Sequence, residues 1–260
     1  VEADSIEAAM AIFEEYGDRI AAVVTEPVQA AGGVHPPTDD GYLKGLRDLC
    51  TNHGALLIFD EVITGFGRTG NWFASQTYRV TPDLMTFAKG ATSGYQPFGG
   101  VVASRSICDV LEADPDYLFR HGHTFSGHTA ACAACLANIE IMERERLVER
   151  ANLVGARLSG YLKKLVDRGD IRGVRGVRAL WAAQLNNEDA EATIAIRDAM
   201  LDLGVIVRPL GDSIAFCPPV VMEYDDVDRM VDMLAKAIRK VGRERIKTIP
   251  TKLPQQKTDK

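Results

Sequence analysis

Short runs of mainly apolar residues alternate with helix-forming stretches over the first two thirds of the sequence. These runs occupy residues 20–25 (IAAVVT), 55–59 (ALLIF), 84–88 (LMTFA) and 99–104 (GGVVAS). Strands that are apolar on both faces and separated by helices are typical of a parallel sheet that helices cover on two sides. The sequence therefore predicts an α/β fold with a mainly parallel sheet.

Polar residues follow three of these runs at the carboxyl end. Glu26, Asp60 and Lys89 each come directly after an apolar run. Because open parallel sheets bind ligands outside the carboxyl ends of their strands, we expect the chemistry of the protein at this edge.

The pattern changes in the second part of the chain, where long helical stretches and short strands follow one another. We predict that residues 1–150 belong to a large domain and residues 151–244 to a smaller α+β domain. The tail at 245–260 is basic and polar with two prolines, and we predict that it is disordered.

Local signals in the second part lead to further predictions. Residues 130–165 are rich in Ala, Leu, Glu and Arg and predict a long helix with a break near 152–155. Residues 205–207 and 214–216 predict short strands around a Gly-Asp turn at 211–212.

Charge, hydropathy and cysteine usage exclude several classes of protein. The net charge of −6 over 260 residues argues against a nucleic-acid-binding protein, which would present a basic field. No apolar run reaches the length of about 18 residues that a membrane span needs, so no membrane partner is expected. Five scattered cysteines do not form a disulfide framework and indicate a reducing compartment, for which we expect the cytoplasm.

Asp60 is the first candidate for a functional residue. A carboxylate at the end of a hydrophobic strand is costly unless a cation or hydrogen-bond donors meet it. It can pair with a cationic cofactor, bind Mg²⁺ together with Glu61 as in P-loop ATPases, or be a solvated strand end. The ATPase interpretation lacks a GxxxxGK[ST] segment in this sequence.

Lys89 is the second candidate, and it lies at the end of the next predicted strand. A lysine removed from solvent becomes a usable amine nucleophile, although many single lysines are simply surface residues. The acid at position 60 and the amine at position 89 are expected at the same edge of the sheet. That arrangement suits pyridoxal phosphate, whose pyridine nitrogen pairs with an acid and whose aldehyde reacts with a lysine.

Four sequence blocks resemble, in order, the signature blocks of class III aminotransferases. They are 25–33 (TEPVQAAGG), 56–70 (LLIFDEVITGFGRTG), 82–90 (PDLMTFAKG) and 121–128 (HGHTFSGH). The similarity continues through residues 205–220 (VIVRPLGDSIAFCPPV) to the last helix. The resemblance implies the pyridoxal-phosphate-dependent transferase fold of type I and ω-type transamination of an amine with a keto acid, with pyruvate expected as the acceptor.

The resemblance also implies roles for residues around the cofactor. Lys89 would form the Schiff base with pyridoxal phosphate and carry the proton during transamination. Asp60 would hold the pyridinium nitrogen, and Val62 would pack against the ring. Glu26 would support the residues that contact the cofactor. Thr124 would bind the cofactor phosphate of the neighbouring subunit, which implies a homodimer.

Substrate binding is implied for Arg208, which matches the family's carboxylate-binding arginine. A planar guanidinium is also a natural partner for a carboxylate on physical grounds. In the ornithine and γ-aminobutyrate branches a glutamate pairs with this arginine, whereas the matching position here is Ala31. An unpaired Arg208 resembles the amine–pyruvate branch, and we expect it to bind a keto acid and to swing away for amines without a carboxylate.

Family members are considerably longer than this chain, which leaves alternatives open. We expect an N-terminal segment with the first strands, the phosphate cradle and a stacking aromatic residue to be missing. The chain could then be a catalytically incomplete fragment or a non-catalytic remnant of the family. An aminomutase or a decarboxylase of the same family is a further alternative.

Two clusters could suggest a metal site, and we interpret both otherwise. His121, His123 and His128 lie close together, but no nearby carboxylate or cysteine completes a ligand set. Cys132 and Cys135 have no second cysteine pair and fit an apolar helix face. We therefore predict no metal site.

Overall fold

The computed structural model describes residues 4–39, 41–186 and 189–248, with side chains described up to Gly242. Within these ranges the chain forms two four-stranded sheets and the helices that cover them. The helices are α1 (Ile6–Tyr16), α2 (Tyr42–His53), α3 (Ala74–Tyr78), α4 (Arg105–Glu112), α5 (Thr129–Arg144), α6 (Leu147–Asp167), α7 (Ala190–Asp202) and α8 (Tyr224–Thr248). The strands are β1 (Ala22–Thr25), β2 (Leu56–Asp60), β3 (Leu84–Phe87), β4 (Gly100–Ala103), β5 (Gly173–Val177), β6 (Leu180–Gln184), β7 (Arg208–Leu210) and β8 (Ser213–Phe216).

The first sheet has the strand order β1-β2-β3-β4 and is mainly parallel. β1 pairs in parallel with β2, and β2 pairs in parallel with β3. All four strands lie within two residues of their predicted bounds, and the predicted α/β fold with a mainly parallel sheet is confirmed. β4 runs antiparallel to β3, a direction that its apolar run does not reveal.

Helices α1 and α2 pack on the first sheet and form its core. Alternation along β2 buries Leu57 and Phe59 on one face, where they meet Phe13 of α1 and Leu46 of α2. Apolar residues recur at helical spacing in α2, which ends at Gly54. With φ of +66°, Gly54 returns its N–H to carbonyl groups of the last turn and stops the helix.

The second sheet has the order β5-β6-β8-β7 and is antiparallel throughout. Helices α6, α7 and α8 cover it, and their apolar faces form the largest core of the described chain. Leu158, Met200 and Leu234 contribute from the three helices, and Ala183 and Phe216 contribute from the sheet. This arrangement is the α+β organisation predicted for the second part.

The predicted helix break at 152–155 is wrong. The interruption lies between α5 and α6, where Arg146 adopts a left-handed backbone with φ of +52°. Gly155 lies inside α6 because the helix approaches the chain at Arg178 closely there. An ideal Cβ at position 155 would stand 1.8 Å from the Arg178 carbonyl oxygen.

The predicted strand at 205–207 is also wrong. The Val205 N–H donates to the Met200 carbonyl at 2.9 Å, so these residues complete the end of α7 instead of joining the sheet. The strand β7 begins at Arg208 and pairs with β8, which contains the strand predicted at 214–216.

The predicted domain boundaries near residues 150 and 244 fall inside continuous helices. Helix α6 begins at Leu147 and crosses the proposed boundary at residue 150, which stays a prediction. Helix α8 continues to Thr248, so the first four residues of the tail predicted as disordered are helical, and 249–260 lie outside the described residues. Among the helices described, none combines the length and the apolar character needed to cross a membrane.

We expect Gly155→Ala to destabilise the fold through a clash of its methyl group with the Arg178 carbonyl. Because backbone must move, the free energy of unfolding should fall by about 3 kcal/mol, at the upper end of overpacking costs. Gly160→Ala on the same helix is the control, since position 160 is exposed and an ideal Cβ there meets nothing within 4 Å. The control should gain about 0.5–1 kcal/mol. Chemical denaturation measures both variants, and equal effects would contradict the close approach.

Candidate active site

Parallel pairing places Asp60 at the carboxyl edge of the first sheet. Asp60 ends β2 and lies opposite Thr86 of β3. Its Oδ1 accepts hydrogen bonds from the Val62 N–H at 3.0 Å and from the Thr86 hydroxyl at 3.1 Å. No hydrogen bond from the described part of the chain reaches its second oxygen, Oδ2. These contacts orient the carboxylate and leave one oxygen able to accept a donor from a ligand.

Lys89 begins a tight turn two residues after β3 ends. Its side chain is exposed, and its backbone is left-handed with φ of +38°, a conformation that costs energy in a residue with a Cβ. Asn138 of α5 pins the turn by donating to the carbonyls of Gly90 at 2.9 Å and of Ala91 at 3.1 Å. Phe66 lies directly against Gly90, where any Cβ would meet it at 2.8 Å. These contacts therefore fix the position of the Lys89 backbone, from which the side chain extends.

A cavity of about 240 Å³ lies beside Lys89. Val62, Phe66, Asn138 and Cys217 line it together with the lysine. The structure thus brings Lys89 and Val62 together around one space. Asp60 is not among the lining residues, but it ends the strand that leads into Val62.

Cys217 follows β8 and brings the second part of the chain to this cavity. The surrounding protein desolvates the thiolate and raises the pKa of Cys217, while the positive charges of Arg68, Arg208 and Lys89 act in the opposite direction. Since the net pKa is raised, the thiol is neutral at physiological pH and acts as a small apolar group. Arg68 donates to the Pro218 carbonyl at 2.5 Å and so holds the next residue in place.

Glu26 and Arg208 meet at the loop that follows β1. Glu26 Oε2 accepts from the backbone N–H groups of Ala30 at 3.0 Å and Ala31 at 3.3 Å. The Ala31 carbonyl in turn accepts from Arg208 Nη2 at 3.3 Å. The structure therefore brings Arg208 to Ala31, but through the backbone. Glu26 lines a separate cleft and is not among the residues that surround the Lys89 cavity.

Thr124 lies apart from these residues. It is exposed in the segment between α4 and α5, and it does not line the Lys89 cavity. Of the nearby histidines, His128 accepts through Nδ1 from the Ala131 N–H and caps α5. The described ranges hold no group of three His, Cys, Asp or Glu residues that could bind a metal ion.

Glu61 makes buried hydrogen bonds that the sequence did not reveal. It is fully buried and accepts from the N–H groups of Ala74 at 2.7 Å and Ser75 at 2.8 Å, and from the Thr64 hydroxyl at 2.8 Å. These donors at the start of α3 occupy both carboxylate oxygens. Because both oxygens already accept hydrogen bonds, this arrangement argues against Glu61 as a Mg²⁺ ligand beside Asp60.

Sequence reasoning also missed Asn138 and Cys217. The available signal for Asn138 was an isolated amide in an Ala-rich helix, where an unpaired polar side chain would be costly if buried. No local pattern marks Cys217, because its position beside Lys89 brings together residues that lie far apart in the sequence.

Comparisons with known proteins identify the family of this chain. A family model described as aminotransferase class-III matches residues 1–238. An omega-aminotransferase from Caulobacter vibrioides is 39% identical over 248 residues, which cover 92% of this chain and 55% of the relative. A putrescine–pyruvate aminotransferase from Pseudomonas aeruginosa is 38% identical over 239 residues, covering 87% of this chain and 51% of the relative.

Solved structures show the same relationship. A transaminase from the marine bacterium Virgibacillus superposes with a TM-score of 0.86 at 40% identity, covering 92% of this chain and 57% of that one. An amine transaminase from an uncultivated Pseudomonas species, described in its PLP-bound form, gives a TM-score of 0.85 at 38% identity, with coverages of 91% and 56%. The chain spans about half the length of the curated relatives it matches.

Pyridoxal phosphate is the cofactor of the family that these comparisons identify. The family model extends over most of the sequence, from residue 1 to residue 238 within the last helix, α8. The fold, the acid and the lysine at one sheet edge, and the relatives all agree. The chain belongs to the class III aminotransferases.

Proposed function

We propose that this protein transfers an amino group from an amine or ω-amino acid to a keto acid, with pyruvate as the acceptor and pyridoxal phosphate held at Lys89. One observation carries the proposal: Lys89 and Val62 border the same cavity at the sheet edge where Asp60 ends its strand. Because the chain spans about half the length of its curated relatives, the activity is proposed for the whole protein.

The residues at this edge fit the chemical parts of pyridoxal phosphate. The free Oδ2 of Asp60 can accept the hydrogen of a protonated pyridine nitrogen, and Val62 offers an apolar contact to the ring. The amine of Lys89 is the covalent anchor for the aldehyde carbon. When bound, the cofactor supplies the sink for the electron pair that the substrate Cα releases with its proton.

Lys89 has a second task once a substrate amine has taken its place. Its Nζ removes the proton from the substrate Cα and delivers it during the transfer. The turn pinned by Asn138 and packed on Phe66 fixes the origin of this side chain. A fixed origin restricts the positions that the amine can reach, which favours a reactive geometry.

Arg208 is the proposed partner of the keto-acid carboxylate. Its described hydrogen bond goes to a neutral acceptor, the Ala31 carbonyl, at 3.3 Å. A carboxylate offers a shorter, charge-assisted and bidentate contact, so it can displace that carbonyl. When the substrate is an amine without a carboxylate, Arg208 can return to Ala31. Glu26 supports this arrangement, since it holds the Ala31 peptide.

A homodimer with shared sites forms part of the proposal. Exposed apolar side chains lie around Thr124, among them Tyr117, Leu118, Phe119 and Phe125. Clustered exposed apolar residues favour an interface, and Thr124 would reach the cofactor phosphate of the neighbouring subunit there. A cytoplasmic location is also proposed, supported by the five free cysteines.

We expect added pyridoxal phosphate to produce a visible absorption band in the purified protein. Borohydride reduction followed by peptide mapping should place the label on Lys89. Lys89→Ala should lose the band, whereas Lys163→Ala, at an exposed position on α6, should keep it. A label on another lysine, or a folded protein without a band, would contradict the proposed cofactor site.

Asp60→Asn should slow removal of the Cα proton, because a neutral amide no longer stabilises the protonated pyridine. The expected loss is about 10²–10³-fold in the single-turnover rate, the usual effect of removing one aligned electrostatic partner. Asp109→Asn is the control, since Asp109 is an exposed residue of α4. Equal rates for Asp60→Asn and the unmodified protein would remove Asp60 from the mechanism.

Arg208→Ala should separate the two half-reactions. Loss of a charge-assisted contact to the carboxylate should lower kcat/KM for pyruvate by about 10- to 100-fold. Reaction with an amine that lacks a carboxylate should change by less than about twofold, within the spread seen for surface substitutions. Each half-reaction is followed separately by stopped-flow absorbance. Equal losses in both would refute a role confined to carboxylate binding.

A further inference from the structure

The cavity beside Lys89 shares a wall with a larger cleft. The second cleft has a volume of about 500 Å³ and lies between the chain that leaves α7 and the start of α8. We call it the α7–α8 cleft; Val205, Ile206, Phe216, Met222, Met230 and Met233 line it. Cys217 and Pro219 line both spaces. The two spaces are therefore neighbours that one short segment separates.

The backbone of this shared wall is held firmly. Pro218 is buried, and its carbonyl accepts the hydrogen bond from Arg68. The rings of Pro218 and Pro219 fix two successive φ angles. Because the backbone has little freedom, the size of the side chain at position 217 determines how wide an opening connects the two spaces. Cys217 contributes only a small side chain to this wall.

The α7–α8 cleft is suited to an uncharged apolar group. Its volume falls within the range of about 300–1,000 Å³ that is usual for small-molecule pockets. Met222, Met230 and Met233 can adapt their flexible side chains to different shapes. The charged residues of its lining, Asp226 and Arg229, are paired with each other and leave no unbalanced charge in the cleft.

We propose that Cys217 limits the size of the amine substrate by separating the Lys89 cavity from the α7–α8 cleft, and that this cleft accepts a bulky, uncharged apolar branch of a primary amine. The inference rests on the proposed transamination, because it needs the reacting amine at Lys89. It adds a side pocket from the second sheet and α8, together with the residue that controls access to it.

Kinetics with a small and a bulky amine test the proposal. The small donor is 2-aminobutane and the bulky donor is 4-phenylbutan-2-amine, both with pyruvate. Cys217→Ala should raise the ratio of kcat/KM for the bulky to the small amine by about tenfold or more, the effect of one added methylene-sized space. Cys217→Leu should lower this ratio. Cys108→Ala on α4 is the matched control, because Cys108 lines neither space, and it should leave the ratio unchanged.

A second substitution tests where the additional space lies. Met233→Trp fills the α7–α8 cleft, so adding it to Cys217→Ala should remove most of the gain for the bulky amine. Met233 is partly buried, and Ile206→Trp replaces it if the double variant does not fold, since Ile206 is 87% exposed. An unchanged ratio in Cys217→Ala, or a gain that survives filling of the cleft, would overturn the proposal.

Calorimetry separates this proposal from the proposed reaction. Binding of 4-phenylbutan-2-amine to the aminated form of the enzyme, which an amine cannot convert further, should be tighter in Cys217→Ala than in the unmodified protein and should carry a more negative heat-capacity change. Filling the cleft should reverse both changes, and identical binding in all variants would refute the side pocket. Failure to turn over even 2-aminobutane would refute the proposed reaction, while the binding data would still decide on the cleft.

Discussion

The parallel pairing of β2 and β3 is the constraint on which the proposed site depends. Its register sets Asp60 opposite Thr86, and the pairing continues one residue further through the Glu61 N–H, which donates to the Thr86 carbonyl at 3.0 Å. Two strands that run in the same direction end at the same edge, so Asp60 at the end of one and Lys89 after the other lie at the same edge of the sheet. An antiparallel pairing of the same strands would place these groups at opposite edges.

Hydrogen bonds between side chains and backbone groups hold this edge of the sheet in place. Asn138 holds the turn that starts at Lys89, and Glu61 holds the start of α3 through two backbone donors and also accepts from the Thr64 hydroxyl. Each of these side chains satisfies buried polar groups that would otherwise be costly to leave unpaired. The left-handed backbone at Lys89 is a strained feature that such surroundings can maintain. Reactive geometry at this edge thus depends on residues that need not touch a substrate.

The sequence allowed prediction of the features that local patterns determine. Apolar runs predicted four strands closely, and the polar residues at their ends made Asp60 and Lys89 candidates, which stay predictions. The path of the second part was less predictable, because tertiary contacts override local signals there. Gly155 suggested a helix break, yet the structure uses a glycine at that position to let α6 approach Arg178. The contact of Arg208 with Ala31 joins residues 177 positions apart, and no local pattern encodes such a distance.

Two arginine side chains join the first and second parts of the chain near the site by donating to backbone carbonyls. Arg68 holds the carbonyl of Pro218, and Arg208 rests on the carbonyl of Ala31. Backbone acceptors are available whatever side chain a position carries, so these two contacts can persist while side chains at the site change. Position 31 illustrates this, since its carbonyl, not its methyl group, meets Arg208. Position 217 has the same freedom, because the backbone of its wall is fixed by neighbouring prolines. Contacts of this kind allow neighbouring side chains to vary while the backbone around the proposed site stays in place.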